Sequence, residues 1–269
     1  MKHVILFVGS LQSGKTTSAA AIYGYHLTHL GLIPNCSFDE NGRMSIIYDK
    51  ANNTGIYLDI DTENEQIIDF MRQHFWANVR HFSFATQFKD ALSKIFSIDR
   101  NCFYGTNDQK NQETHIEWNN ILPLLSPKRF EELKHNAGKK VTGRQLMQVF
   151  GTDICRAIDE PCHIRAAFQA AKEADPDIAI FPDGRFEDEV EFFDNLKKSQ
   201  SEYKVWLIKL KRMKFKSNDP MEQGAAGIPD SRYDLVIDNG NMTTLEKNEK
   251  LVNFLVKRGV LSPTNIERI

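Results

Sequence analysis

Residues 3–17 read His-Val-Ile-Leu-Phe-Val-Gly-Ser-Leu-Gln-Ser-Gly-Lys-Thr-Thr. The apolar run over residues 4–8 is typical of a buried strand, and it ends at Gly9. The Gly-Lys-Thr at residues 14–16 then leads into apolar residues at helical spacing, which predict a helix over residues 15–30. The stretch therefore predicts a strand, a short loop bounded by glycines and a helix in direct succession.

This loop has the spacing Gly-x-x-x-x-Gly-Lys-Thr, which indicates a phosphate-binding loop when a strand precedes it and a helix follows. The glycines let the backbone curl so that its N–H groups point at phosphate oxygens, and the helix N-terminus adds positive charge. Lys15 would reach the β- and γ-phosphates, and the Thr16 hydroxyl would bind Mg²⁺. The alternative is a glycine-rich turn without a ligand. We expect a nucleotide to bind Gly9, Gln12, Ser13, Gly14, Lys15, Thr16 and Thr17.

Composition limits the remaining function classes. The 269 residues carry a net charge of −2, so no overall charge attracts nucleic acid or an anionic membrane. The 4 cysteines form no Cys-x-x-Cys pair, and we interpret them as reduced thiols of a cytosolic protein. No apolar stretch is long enough for a transmembrane helix. Because the first strand runs directly into the loop, we expect no cleavable signal and a cytoplasmic location, the host cytoplasm if the chain is phage-encoded.

Strands and helices alternate along most of the chain, which predicts an α/β fold with a mainly parallel sheet covered by helices on both faces. Ligands bind at the carboxyl ends of such strands. The residues that follow the predicted core strands, and that we expect to line one crevice, are Gly9, Ala85, Asp183, Lys211 and Asp238. Further core strands are predicted at 80–85, 177–181, 203–210 and 235–237, and further helices at 62–74, 87–96, 126–136, 161–174, 186–198 and 243–257, with one more that starts at Thr142 and carries Arg144 and Arg156.

Residues 36–61 differ in kind from the rest. Two β-rich runs flank Asn52-Asn53-Thr54-Gly55, which indicates a hairpin because Asn and Gly tolerate positive φ. We interpret 36–61 as an inserted hairpin that is dispensable for chemistry. The expected organisation is a single P-loop domain over 1–269, with a helical acceptor-binding region at 86–175 and a lid at 211–233.

Polar residues mark three further candidate features. Asp183 ends an apolar strand, where a phosphate-loop enzyme places a carboxylate near Mg²⁺, and Arg185 suits a phosphate; a surface Asp–Arg turn is the alternative. Arg144 and Arg156 lie on one predicted helix that could line a nucleotide pocket or form a solvated face. The basic run at 204–216 could bind nucleic acid, protect a strand edge or close over phosphates as a lid. The glycine-rich segment after it favours the lid.

Five stretches of the chain together carry a likeness to a known family. They are the loop, residues 79–92, Arg-Gln-Leu-Met-Gln-Val-Phe-Gly-Thr-Asp at 144–153, Pro-Asp-Gly-Arg at 182–185, and Lys-Ser-Asn-Asp at 216–219. Ala-Gly-Ile-Pro and Asp-Leu-Val-Ile-Asp-Asn follow. In this the chain resembles the bacteriophage deoxynucleoside monophosphate kinases, of the adenylate-kinase-like branch of phosphate-loop proteins. It departs from their pattern after Asp219, where they usually have a His and then a Glu.

The resemblance implies transfer of the γ-phosphate of ATP to a deoxynucleoside 5′-monophosphate, with Mg²⁺ bound by Thr16 and Asp183. The catalytic residues it implies are Lys15, Asp183, Arg185 and Arg212, with Arg212 as the lid arginine. It also implies that Asn239 contacts ATP. Residues implied to bind the acceptor are Lys89, Arg144, Gln148, Asp153, Arg156 and Arg185.

Rival functions remain open from the sequence. Another small-molecule kinase of the same branch, such as a phosphomevalonate kinase, would share the loop and the Asp-x-Arg. A non-kinase P-loop NTPase is a second rival, although no Asn-Lys-x-Asp guanine motif is present. A nucleic-acid-binding module rests on 204–216 alone. We expect nucleotides as the partners, with no nucleic acid and no membrane; base preference and the choice between monomer and homodimer stay open.

Overall fold

The structure is a computed structural model that describes residues 2–10, 12–39, 41–49, 54–60, 64–199, 202–212 and 227–263. The chain divides into two compact units. The first unit comprises Met1–Ser83 and Ala170–Ile269, and the second unit comprises Phe84–Gln169.

A five-stranded, all-parallel sheet forms the centre of the first unit, which confirms the predicted α/β class. Its strands are β1 (Lys2–Val8), β5 (Val79–His81), β8 (Ile178–Gly184), β9 (Tyr203–Lys211) and β10 (Leu235–Asp238), in the order β10-β9-β1-β8-β5. β1 is buried between β8 and β9, which explains its continuous apolar run. The loop after β1 therefore leaves the sheet between strands β8 and β9.

Helices flank this sheet and complete the core of the first unit. They are α1 (Lys15–His29), α2 (Glu65–His74), α11 (Glu187–Lys198) and α12 (Thr244–Lys257). Asn64 caps α2 by accepting from the N–H groups of Gln66 and Ile67, whereas the predicted cap, Thr62, lies outside the described residues. A short 3₁₀ helix covers Asp230–Arg232.

A separate antiparallel sheet in the first unit consists of strands β2 (Asn35–Phe38), β3 (Met44–Asp49) and β4 (Thr54–Leu58). Cys36 and Met44 are each 2% exposed and belong to the same core cluster as the residues of α1. The interpretation of 36–61 as an insertion stays a prediction. The burial of Cys36 and Met44 gives this sheet a structural contribution that the sequence did not predict.

The second unit is mainly helical and has its own core, which includes Phe103 and Trp118. Its helices are α3 (Thr86–Ile95), α4 (Asn101–Tyr104), α5 (Asn107–Lys110), α6 (Trp118–Ile121), α7 (Pro127–Leu133), α8 (Gly143–Gln148) and α9 (Arg156–Ile158), and α10 (Cys162–Ala174) begins in it. A two-stranded sheet joins β6 (Glu113–Glu117) to β7 (Lys140–Thr142), and 3₁₀ helices cover Leu122–Leu124 and Lys134–Asn136.

Two predicted elements differ in the structure. The strand predicted over 80–85 ends at His81, and residues 84–85 form a turn that leads into α3. The helix predicted from Thr142 starts there with a capping box but becomes a π-helix over Val149–Cys155. Among the helices that the structure describes, none is both long and apolar enough to cross a membrane.

Candidate functional site

The loop after β1 has the tight geometry that its glycines predict. A Cβ atom added to Gly9 would lie 2.5 Å from the carbonyl oxygen of Leu210 and 2.6 Å from Ser13 Oγ, so only glycine fits there. Gln12 and Gly14 have φ of 58° and 91°, in the left-handed region. These conformations curl the backbone before α1 begins at Lys15. Leu11 lies outside the described residues.

The Lys15 side chain folds back across this loop. Its Nζ donates to the carbonyl oxygens of Gly9 at 2.6 Å and Ser10 at 2.7 Å, and the residue is only 8% exposed. Burying a lysine ammonium is costly unless acceptors replace the water it loses. The two carbonyls supply such acceptors, and they hold the charge at the N-terminus of α1, where an anion is electrostatically favoured.

Residues distant in sequence support the loop. Asn239, just after β10, donates through Nδ2 to the Ser13 carbonyl at 2.9 Å. Arg212, just after β9, donates to the Gln12 carbonyl at 3.2 Å. Both were predicted to bind ATP or its phosphates, and the structure places both on the loop backbone. Ser13 Oγ and Asn239 Oδ1 are buried without a hydrogen-bond partner among the described residues.

A second support comes from Lys247 on α12, which the sequence analysis missed. Its Nζ lies 2.8 Å from Ser18 Oγ and 3.3 Å from the Gly14 carbonyl, and the side chain is 3% exposed. Burial, followed by the positive charge of Arg212, lowers the pKa of Lys247 to about 7. The signal in the sequence is a lysine on the apolar stripe of a helix, four residues before the buried Leu251.

Asp183, near the end of β8, and Arg185, in the turn that follows it, lie beside the loop. The Gly9 N–H donates to the Gly184 carbonyl at 3.2 Å, which ties this turn to the start of the loop. Asp183 accepts a 2.6 Å hydrogen bond from Ser83 Oγ. The structure therefore brings the predicted residues of both segments to one edge of the sheet, as the carboxyl ends of neighbouring parallel strands require.

Glu189, which the sequence analysis also missed, holds this turn from α11. Its carboxylate accepts the N–H groups of Arg185 and Phe186, the latter at 2.9 Å. Glu189 is 4% exposed. Burial raises the pKa of its carboxyl to about 7; the two hydrogen bonds oppose that shift, and the nearby Asp183 and Asp188 add to it.

The basic run at 204–216 is largely engaged in structural contacts where the structure describes it. Lys209 donates to the Ile228 carbonyl at 2.6 Å and lies 3.2 Å from Asp230, which also pairs with Lys211. These contacts hold the end of the predicted lid, residues 227–233, against β9. Lys214 and Lys216 lie outside the described residues.

The predicted acceptor residues other than Arg185 lie in the second unit. Arg144 donates to the side-chain oxygens of Asn111 at 3.1 Å and Asn107 at 2.8 Å, and Lys89 Nζ lies 4.7 Å from the ring centre of Tyr104. Gln148 is exposed at the end of α8, and Arg156 is partly buried at the start of α9.

Asp153 in the π-helix forms an ion pair that sequence reasoning missed. Arg129 binds it with two parallel bonds, Nε to Oδ1 at 2.9 Å and Nη2 to Oδ2 at 3.0 Å. The hydrogen bonds to Asp153 and then Glu132 raise the pKa of Arg129. No fixed spacing links positions 129 and 153, so the sequence carries no signal for this pair. Both carboxylate oxygens of Asp153 are thus engaged within the second unit.

An open cleft of about 420 Å³ lies in the same unit. Aromatic and apolar side chains dominate it, and the His163 ring is fixed by a 3.1 Å hydrogen bond between its Nε2 and the Gly151 carbonyl. The lining residues are Phe84, Gln87, Phe88, Cys155, Ile158, Asp159, Cys162, His163 and Ala166. None of the predicted acceptor residues lines it.

The residues predicted to hold Mg²⁺ suit an ion most of whose ligands are water molecules and phosphate oxygens. Thr16 is exposed at the first turn of α1, and Asp183 is partly buried on β8. Among the described residues, no three His, Cys, Asp or Glu side chains are arranged to hold a metal ion. Mg²⁺ bound with a nucleotide typically uses only one or two protein ligands, so this donor set fits.

A scan of the chain against protein-family models gives no match, and a search of curated proteins gives none either. The assignment of a function therefore depends on the residues and contacts described above.

Proposed function

We propose that the protein is a deoxynucleoside monophosphate kinase with a P-loop fold, which transfers the γ-phosphate of ATP to a deoxynucleoside 5′-monophosphate and releases ADP and a deoxynucleoside diphosphate. The observation that carries the proposal is the loop of Gly9 to Gly14, with the Lys15 ammonium held on two of its carbonyls at 2.6 and 2.7 Å. A cation in this position can move to a phosphate with little rearrangement.

The donor nucleotide is assigned to the loop. Its backbone N–H groups and the N-terminus of α1 would bind the phosphates. Lys15 would stabilise the charge on the transferring group, and Arg212 is close enough to the loop to add a second cation. Bound Mg²⁺ would neutralise charge on the β- and γ-phosphates, and Thr16 and Asp183 would bind the ion.

The acceptor is assigned to Arg185 together with Lys89, Arg144, Gln148, Asp153 and Arg156. Its phosphate oxygen is itself the nucleophile: a new P–O bond forms to the γ-phosphorus while the bond from that phosphorus to the β,γ-bridging oxygen breaks. Because the attacking oxygen is already ionised, no strong general base is required. The chain's contribution is to align the two polyanions and to exclude water.

Turnover with a panel of monophosphates tests the proposal. Purified protein, ATP and Mg²⁺ would be combined with each of the four common deoxynucleoside monophosphates, their ribose counterparts and phosphomevalonate, and ADP release measured. We expect release that depends on at least one deoxynucleotide. Activity with phosphomevalonate alone, or ATP hydrolysis that no monophosphate accelerates, would reject the proposal.

In the Lys15→Ala variant, the rate of this turnover should fall about a hundredfold to a thousandfold, the typical decrease when one donor that stabilises a transition state is removed. Lys172→Ala, which removes an exposed lysine from α10, is the matched control and should retain wild-type turnover. Near-normal turnover in Lys15→Ala would remove the loop from the mechanism.

A further inference from the structure

Lys247 is a buried amine aimed at the phosphate-loop segment. It lies on α12 in the stripe that continues with the buried Leu251 and Leu255, where an apolar side chain would be ordinary. Instead its Nζ reaches Ser18 Oγ at 2.8 Å and the Gly14 carbonyl at 3.3 Å. The amine therefore bridges α12 to the end of the loop and the first turn of α1.

Within the described part of the chain, the charge that acts on this amine is the positive charge of Arg212. Lys15 and Arg212 bring two more cations to the same loop. Of the acids near Lys247 in sequence, Glu246 accepts the Thr243 N–H and hydroxyl, Asp238 accepts the Gly240 N–H, and Glu249 is exposed. Among the described residues, no carboxylate contributes to the electrostatics of Lys247. Such a site disfavours the charged amine until a counter-charge arrives.

A polyphosphate would supply that counter-charge. We propose that Lys247 takes up a proton when a nucleotide polyphosphate binds to the loop of Gly9 to Gly14, so that above neutral pH the loop gains a buried positive charge together with the anion. The inference rests on the proposed function for the identity of the anion. It adds a proton to the binding reaction, which the proposed function does not require.

The direction of the pH dependence follows from linkage. Burial and Arg212 hold the pKa of Lys247 at about 7 without a ligand, and a bound anion raises it. Below pH 7 the amine is already protonated, and binding takes up little. Above pH 7 binding must recruit the proton, so nucleotide affinity should fall as pH rises from about 7 to 9.

Calorimetry with Mg·ADP measures the proton directly. The binding heat at pH 7.5 would be compared in buffers of different ionisation enthalpy, which gives the number of protons taken up per nucleotide. We expect the wild-type chain to take up at least about half a proton more than Lys247→Met, the amount expected when a group with a pKa near the working pH becomes fully protonated. The exposed Lys250→Met on the same helix is the matched control and should match the wild type.

Lys247→Arg separates charge from packing. A guanidinium stays protonated at every pH used, so this variant should show no extra uptake and a flatter affinity above pH 7. Equal uptake in the wild type and both Lys247 variants would overturn the inference while leaving nucleotide binding, and hence the proposed function, intact. Failure of the wild type to bind any nucleotide would overturn both.

A measurement on the wild-type chain covers the case in which the variants fold poorly. Carbon NMR of protein labelled at the lysine ε-carbons would follow each amine against pH. We expect one lysine to titrate near neutral pH without nucleotide and to stay charged beyond pH 9 with Mg·ADP. A spectrum in which every lysine keeps an ordinary titration in both states would reject the inference.

Discussion

Arg185 is held through its backbone and keeps its side chain available. Its N–H donates to Glu189, and among the described residues no hydrogen bond or ion pair engages its guanidinium. Arg129, by contrast, commits its fork to Asp153. The two arginines differ in whether their hydrogen-bond donors are free for a ligand, and this difference is invisible in the sequence.

Arg185→Lys should weaken use of the monophosphate and leave ATP binding almost unchanged. A lysine cannot reproduce two parallel bonds to a phosphate, and a hydrogen bond to a charged group is worth about 1.5–3 kcal/mol. The expected loss in kcat/KM for the monophosphate is therefore roughly tenfold to hundredfold. Separate titrations with ATP and the monophosphate measure it, with the exposed Arg72→Lys as control. A fall in ATP affinity alone would reverse the donor and acceptor roles.

Glu189 should make the protein less stable as pH rises towards neutrality. Its folded-state pKa is raised from 4.5 to about 7, so the folded protein binds a proton there that the unfolded chain has lost. This contribution is complete below pH 4.5 and is lost as pH rises through about 7. Urea unfolding of the wild type and Glu189→Gln at several pH values checks it. We expect the variant to show a smaller decline in unfolding free energy across this window; identical slopes would contradict the assignment.

The positions of single residues were predictable where the local spacing sets the geometry. Gly9, Gly14 and Lys15 belong to one short loop, so their relative positions follow from the backbone alone. Lys247 and Glu189 act on segments that the fold brings close to them. Periodicity finds the helix that carries Lys247, but it does not identify the atoms that the amine reaches.

At the scale of elements, α1 is shaped by the small sheet packed on it. Gly24 lies inside the helix, where glycine is less favourable than alanine by about 1 kcal/mol. A Cβ atom there would lie 2.5 Å from Cys36 Sγ and 2.8 Å from Met44 Sδ. The close approach of β2 and β3 to the helix therefore depends on the missing side chain.

Gly24→Ala should destabilise the protein although it improves helix propensity. Overpacking a filled core typically costs about 1–3 kcal/mol, which exceeds the gain in propensity. Gly151→Ala is the control, because its added Cβ would meet its nearest neighbour at an ordinary 3.5 Å. Chemical denaturation of both variants distinguishes them. A Gly24→Ala chain as stable as the wild type would mean that the sheet of β2, β3 and β4 shifts freely on α1.

Helices and strands with a clear apolar pattern were predictable from the sequence. Elements whose conformation depends on contacts with other parts of the fold were not. The apolar run of β1 and the stripe of α12 appear in the sequence as continuous patterns. The π-helix at Val149–Cys155 does not, because the apolar residues at 146, 149, 150 and 154 fit an ordinary helix equally well. The ion pair of Asp153 and the Gly151 carbonyl that binds His163 both lie in this segment, so its backbone is fixed by contacts beyond it.

The second unit has the properties of a segment that folds by itself. It is continuous in sequence and has its own buried cluster around Phe103 and Trp118. A fragment spanning 84–174, which keeps α10 whole, should therefore show a cooperative thermal transition by circular dichroism. Trp118→Ala should abolish that transition, since removing a buried tryptophan costs about 3–5 kcal/mol. A fragment that melts gradually would show that its core needs the rest of the chain.

The strand order determines when each strand can pair during synthesis on the ribosome. Among the strands that the structure describes, β1 pairs with β8 and β9, and β5 pairs with β8. Both strands are therefore translated long before any of their partners. The second unit lies between them and β8 in the chain, so it can fold while the apolar β1 still has an unpaired backbone. Nascent chains stalled before Ile178 should expose that strand, and we expect chaperones that bind apolar segments to protect it.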